Sequence, residues 1–117
     1  MYTISRERII ELNRGDTFEM PLFINIGTKF HYIRYILSDN DTVYLSICEP
    51  NDRFEKGVIR KMYSRDDVNE NGDVVIKLTT EDTERIVPGC YYLEIKIKFA
   101  NGDISTIVPR RKFYLYE

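Results

Sequence analysis

The sequence has 117 residues, 43% of them hydrophobic and 31% charged, a length and composition that predict one soluble globular domain over residues 1–117. Seventeen Lys and Arg residues against nineteen Asp and Glu residues give a net charge of −2, so we expect neither nucleic acid nor an anionic membrane surface as a partner. The charged start, MYTISRERII, is unlike a secretory signal. We therefore expect a reducing compartment and free thiols at Cys48 and Cys90.

Strands dominate the predicted elements in chain order. Period-two alternation of apolar and polar residues predicts strands over 17–26, 42–48, 58–64, 73–79, 91–99, 103–109 and 112–117. Pro21 makes the first an edge strand or breaks it. Asn101–Gly102 predicts a type I′ hairpin turn, since both central residues of that turn need positive φ. A single helical turn capped by Asp82 is expected over 81–86.

The stretch EDTERIVPGCYYLEIKIKF, residues 81–99, identifies the type of all-β fold. In immunoglobulin-like sandwiches the chain crosses between the sheets just before a strand, and a tyrosine there bonds back to upstream backbone. Asp82, Gly89 and Tyr91 fit such a corner. The sequence thus predicts a single immunoglobulin-like β-sandwich of about seven to eight antiparallel strands. Cys48 and Cys90 both fall on outward parities of different strands, so a disulfide between them is not expected.

Three stretches also carry a family resemblance: NRGDTF, LSDNDTVYLSI and EDTERIVPGCYYLEIKIKFANGDISTIVPRRKFYL. Together they resemble the immunoglobulin-like domain at the N-terminus of the baseplate upper protein of tailed phages of Gram-positive bacteria, and related small phage and prophage proteins. The resemblance covers nearly the whole chain. It implies a non-enzymatic structural module of the virion tail or baseplate, made in the host cytoplasm, with no catalytic residues and no cofactor. Its partners would be other virion proteins or copies of itself in a homo-oligomer.

Three stretches could instead carry chemistry, and each has a plainer interpretation. DVNENGDVVIKL, residues 67–78, matches the first half of a calcium loop, but its twelfth position is Leu78 instead of the bidentate Glu. A polar hairpin turn therefore explains it better than a metal site. His31, the only histidine, lies among aromatic residues in KFHYIRY and lacks the context of a catalytic base. PRRK, residues 109–112, is interpreted as a solvated bulge between the last two strands.

Tyrosines are the best remaining signal of function. The predicted register places an outward-facing set at Tyr44, Tyr63, Tyr92, Tyr114 and Tyr116. Outward aromatic rings on a sandwich bury against another protein or stack on sugars. The first use gives an assembly module with these residues at the contact, and the second gives a carbohydrate-binding module. A sugar platform more often contains Trp, and this chain has none, so protein contacts are favoured.

Overall fold

A computed structural model describes residues 2–4, 9–28 and 31–117, and the chain is mostly β. The strands in chain order are β1 Tyr2–Ile4, β2 Ile10–Asn13, β3 Phe18–Leu22, β4 Asn25–Thr28, β5 His31–Arg34, β6 Thr42–Cys48, β7 Ile59–Tyr63, β8 Val74–Leu78, β9 Gly89–Lys98 and β10 Ile104–Tyr116. Within these ranges a short helix, α1, spans Thr80–Glu84, and 3₁₀ turns lie at Phe54–Lys56 and Arg65–Asp67.

The strands form one large sheet and two small ones. The large sheet has the order β1-β2-β10-β9-β6-β7, while β3 pairs with β8 and β4 with β5. Neighbours are antiparallel except β2 and β10, which run parallel with Ile10 opposite Phe113 and Leu12 opposite Leu115. The expectation of antiparallel strands throughout is therefore wrong. A parallel pair needs a long crossover, and β2 and β10 are separated by nearly the whole chain.

A single cluster of buried apolar side chains joins the large sheet to the β3–β8 sheet. Phe18 and Leu22 of β3 and Ile76 of β8 belong to it, together with alternate residues of β6, β9 and β10. In β9 the buried positions are Tyr91, Leu93, Ile95 and Ile97, the alternation that the sequence predicts. This core is what holds the outward positions of the large sheet in register.

Element boundaries depart from the predicted ones at both ends of the chain. The expected strand 17–26 is two strands, β3 and β4, on either side of a buried Ile24. The expected strands 103–109 and 112–117 are one strand, β10, whose register with β9 shifts between Thr106 and Val108 and again between Val108 and Arg111. These irregularities accommodate Pro109, which cannot donate a ladder hydrogen bond. Strands β1, β2 and β5 have no counterpart in the prediction.

The hairpin between β9 and β10 has a three-residue loop in place of the expected two-residue turn. The Gly102 N–H donates to the Phe99 carbonyl (2.9 Å), so Ala100 and Asn101 are the central residues, and Gly102 follows with φ of 95°. Three-residue hairpin loops commonly have this form, a turn followed by a glycine in the left-handed region. The type I′ prediction is wrong in its register, although the glycine requirement that motivated it is real.

Candidate interaction surface

The backbone contact that the sequence predicts for Tyr91 is present. Its ring is buried, and its hydroxyl donates to the Val87 carbonyl in the crossing that leads into β9. Burial raises the pKa of this phenol. Gly89 opens β9, and a Cβ there would meet only the Tyr91 ring, at 4.0 Å. The hydrogen bond confirms the prediction for Tyr91, whereas the corner has no steric need for glycine at position 89.

Asp82 contributes to this region as a partner of β7. The N-cap of α1 is Thr79, not Asp82, because Thr79 Oγ1 accepts from the Asp82 N–H (3.2 Å) while Asp82 accepts in return from the Thr79 N–H (2.8 Å). The Asp82 carboxylate also meets Lys61 Nζ at 2.7 Å. Burial alone would raise the pKa of Asp82, but the hydrogen bonds from Lys61 and Thr79 outweigh it and hold the pKa below its usual value.

Tyr63 is buried, so the prediction that it faces outward is wrong. It lies opposite Val43 on the core side of β7. Its hydroxyl donates to the Lys77 carbonyl and accepts from the Lys77 N–H, each at 3.2 Å. Those two backbone groups lie on β8, so the Tyr63 hydroxyl links the large sheet to the β3–β8 sheet by hydrogen bonds. Burial raises the pKa of Tyr63.

Residues 49–58, the connection between β6 and β7, fold back over the outward face of the large sheet; we call them the strap. Ser46 Oγ donates to the Phe54 carbonyl (2.6 Å), and Cys48 Sγ lies 3.8 Å from the Asp52 carbonyl. A Cβ on Gly57 would lie 2.3 Å from Ser46 Oγ. Cys48 is therefore buried, against the predicted outward exposure, because the strap covers its face of β6. Both cysteines are free thiols.

Arg110 fastens the strap to the sheet. From the irregular part of β10 its guanidinium donates to the carbonyls of Pro50 (2.9 Å) and Asp52 (3.1 Å), with a longer contact to Glu49 (3.4 Å). The same group lies 4.7 Å from the centre of the Tyr92 ring. The PRRK cluster thus contains a structural clamp in addition to a bulge. Tyr92, predicted at an interface, is half-buried beneath Arg110.

The remaining tyrosines of the predicted set lie in two separate places. Tyr44 lies on the outward face of β6, opposite Met62 and Lys96 on its two neighbours. Tyr114 and Tyr116 stack on each other at 6.3 Å on β10, and Tyr116 is 48% exposed. The hydrogen bond from Tyr116 to Glu11 (3.0 Å) raises the pKa of its phenol. Tyr114 is opposite Cys90 and Tyr44 opposite Lys96, roughly 20 Å apart along β9 at 3.3 Å per residue.

A shallow groove of about 650 Å³ lies at the end of the fold beside the β9–β10 hairpin. Its buried carboxylate, Asp41, accepts from the Tyr35 hydroxyl, the Ser38 N–H (2.8 Å) and the Ala100 N–H (2.9 Å). Burial would raise the pKa of Asp41, but these donors outweigh it and lower the pKa. Asp41 is thus a structural tie between the loop before β6 and the hairpin.

The calcium-like stretch is a hairpin whose oxygens bind backbone. Asn69 Oδ1 accepts from the N–H groups of Asn71 (2.9 Å) and Asp73 (3.0 Å), and the Asp67 carboxylate accepts from the Ser64 N–H (2.8 Å). Among residues 2–4, 9–28 and 31–117, no three His, Cys, Asp or Glu side chains cluster closely enough to hold a metal ion. In the same part of the chain, no helix has the length and apolar character that crossing a membrane requires. The backbone of His31 lies in β5.

Comparison with models of protein families and with curated protein sequences finds no match to this chain.

Proposed function

We propose that this chain is a non-enzymatic, immunoglobulin-like β-sandwich that acts through protein–protein contacts as a structural module of a phage or prophage virion, at the tail or baseplate. The Tyr91 corner supports the sandwich assignment, because that hydrogen bond typically marks the crossing into the strand after it. The shared core of the large and β3–β8 sheets also supports it. The virion setting is supported by the resemblance of the three quoted stretches.

One observation carries the proposal of protein contacts: large apolar side chains stand in solvent on the outside of the fold. Phe23 is 63% exposed, Met62 67% and Ile104 65%. Single exposed apolar residues are ordinary, but exposed apolar residues grouped on one face with an aromatic ring support a surface that a partner covers. Met62 and Tyr44 are such neighbours on the large sheet. The partners we propose are other virion proteins or further copies of this chain.

Carbohydrate binding is the second candidate, and the tyrosine pair on β10 favours it. The rings of Tyr114 and Tyr116 are inclined by only 21°, and Tyr116 is half-exposed. Neighbouring, nearly parallel rings present flat apolar surface on which a sugar ring could stack. The pair lies far from Tyr44 and Met62, so the two functions would use different surfaces and can be tested separately.

Light scattering and a glycan array on one preparation distinguish the candidates. The assembly proposal predicts a mass that rises with concentration and falls when Met62 is replaced by Ser. It also predicts no change for the paired variant Tyr114→Ala/Tyr116→Ala, the matched control. A protein that stays monomeric at high concentration and binds a defined glycan, with binding lost in the paired variant, would replace the proposal with the carbohydrate module.

A further inference from the structure

The uncovered half of the large sheet has an unusual charge. Two cross-strand rows at the margin of the strap form what we call the Met62 face: Met62, Tyr44, Lys96 and Thr106 in one row, and Thr42, Lys98 and Ile104 in the next. Lys96 is half-buried, with its Nζ 4.7 Å from the centre of the Phe54 ring of the strap, whereas Lys98 is exposed. Met62 and Ile104 are among the most exposed apolar side chains of the described residues. Both charged members are lysines. The face is therefore apolar and positive although the chain is negative overall.

A second exposed apolar region lies on the β3–β8 side of the molecule. Phe23 follows β3 on the outward parity of Glu19 and Pro21, and Ile36 is 44% exposed. The hydrogen bond from the Tyr35 N–H to the Ile24 carbonyl (2.8 Å) continues the β4–β5 ladder, so Phe23 and Ile36 fall opposite each other. We call this region, with the adjoining loop carboxylates of Asp66 and Glu70, the Phe23 surface.

Contacts between two loop segments place the segment that carries those carboxylates beside Ile36 and Leu37. Ile36 Cδ1 lies 2.9 Å from where a Cβ on Gly72 would stand, and Arg65 Nη1 donates to the Leu37 carbonyl (3.0 Å). Segments 34–39 and 65–73 together carry two arginines against five carboxylates. Arg34 pairs with Asp73 and Arg65 with Asp39. Three negative charges are left in excess on these two segments, from Asp66 and Glu70 of the Phe23 surface and from Asp67, whose carboxylate caps the Ser64 N–H.

We propose that the Met62 face of one copy docks on the Phe23 surface of a second copy, so that the chain associates head to tail. Each region presents exposed apolar side chains, and their charges are opposite, which favours association in one orientation. The two regions lie on opposite layers of the fold, so one copy can use both at once. This inference rests on the proposed function, since it names the partner and the contact through which the module assembles.

A symmetric contact is disfavoured by the same charges. Two Met62 faces meeting across a two-fold axis would place Lys96 and Lys98 of one copy against those of the other, and two Phe23 surfaces would bring carboxylates together. Like charges facing each other at an interface oppose association, whereas the head-to-tail arrangement pairs each lysine cluster with a carboxylate cluster. Association should therefore weaken as salt rises from about 0.05 M to about 0.5 M.

Charge exchange tests the contact. One variant carries Lys96→Glu/Lys98→Glu and a second carries Asp66→Lys/Glu70→Lys, each with its fold checked by circular dichroism. Each alone should associate about tenfold or more weakly than the unmodified chain, because its two surfaces then repel. An equimolar mixture should recover association, since every contact again pairs opposite charges. The matched control, Arg85→Glu/Lys112→Glu, changes charge by the same amount outside both surfaces and should leave association unchanged.

The outcomes separate the contact from the function. If the unmodified chain associates but the two variants associate equally well, or their mixture recovers nothing, the head-to-tail contact is wrong and the assembly module stands. If the unmodified chain is monomeric and binds a glycan, both fail. Should Lys96→Glu/Lys98→Glu not fold, Lys96→Gln/Lys98→Gln tests the same face with a smaller loss expected, and unchanged association would refute the contact.

Discussion

Tyr63 and Tyr91 each bury a ring and direct a hydroxyl at backbone, but they leave different groups behind when the hydroxyl is removed. Tyr63→Phe leaves both the N–H and the carbonyl of Lys77 without their hydrogen-bond partner between the sheets. It should lower the unfolding free energy by about 1–3 kcal/mol. Tyr91→Phe leaves only the Val87 carbonyl without its partner, and Val87 is exposed, so water can reach that carbonyl. It should cost about 1 kcal/mol, near the net value of one hydrogen bond.

Chemical denaturation measures the loss of unfolding free energy in each variant, provided that the slope of that free energy against denaturant concentration is unchanged. We expect the larger loss for Tyr63→Phe. A larger loss for Tyr91→Phe, or no loss for Tyr63→Phe, would show that the Tyr63 phenol does not provide the hydrogen bonds of the Lys77 backbone groups on β8.

Asp82 makes the stability of the fold depend on pH. Its pKa in the folded chain lies below the unfolded value of about 3.9. The folded state therefore releases this proton more readily, and the resulting stability is present above about pH 4 and lost as the pH falls through the folded pKa. Asp82→Asn should destabilise the protein by about 1–3 kcal/mol at pH 7, through the broken Lys61 contact. The difference in unfolding free energy between Asp82→Asn and the unmodified chain should become smaller below about pH 4.

Urea unfolding between about pH 7 and pH 2.5 measures this gap, with the exposed Asp66→Asn as control. A gap that stays constant over that range would contradict the account.

At the scale of elements, strands β6–β9 and the Tyr91 contact could be predicted because they depend on local alternation and turn chemistry. The inward positions of β9 and the hydroxyl contact of Tyr91 followed from this. The strap could not be predicted, since parity tells which face of a strand a residue occupies and says nothing about what folds over that face. That is why Cys48 and Tyr92 were expected in solvent. Tyr63 was missed for a related reason: its partner Lys77 lies on a strand of the other sheet.

The strap also yields a prediction at this scale. With Cys90 replaced by Ser, the only thiol is Cys48, which the strap buries and whose pKa burial raises. It should react slowly with a thiol reagent in the native protein and fully after denaturation. Arg110→Ala removes three carbonyl contacts from the strap and should raise the native rate by about tenfold or more, because local opening then costs less free energy.

Lys112→Ala, a nearby basic residue of β10, is the matched control and should leave the rate unchanged. Equal rates for the Arg110 variant and the control would mean that Arg110 does not hold the strap.

At the scale of the whole molecule, the β7 edge of the large sheet is blocked against strand pairing. Lys61 points toward the core side and is held by Asp82, and an inward-pointing charge on an edge strand discourages the addition of another chain. Association through sheet faces is therefore favoured over association through this edge. Exposed apolar side chains on the Met62 face and the Phe23 surface are the ones that we expect a partner to cover.

Sedimentation velocity of the unmodified chain from about 10 μM to about 1 mM at low salt tests the central claim most directly, because a specific interface of ordinary size should associate within that range. We predict a weight-average sedimentation coefficient that rises with concentration, together with a loss of that rise in Lys96→Glu/Lys98→Glu. A single species of monomer mass at every concentration, identical in the two proteins, would contradict self-assembly through these surfaces.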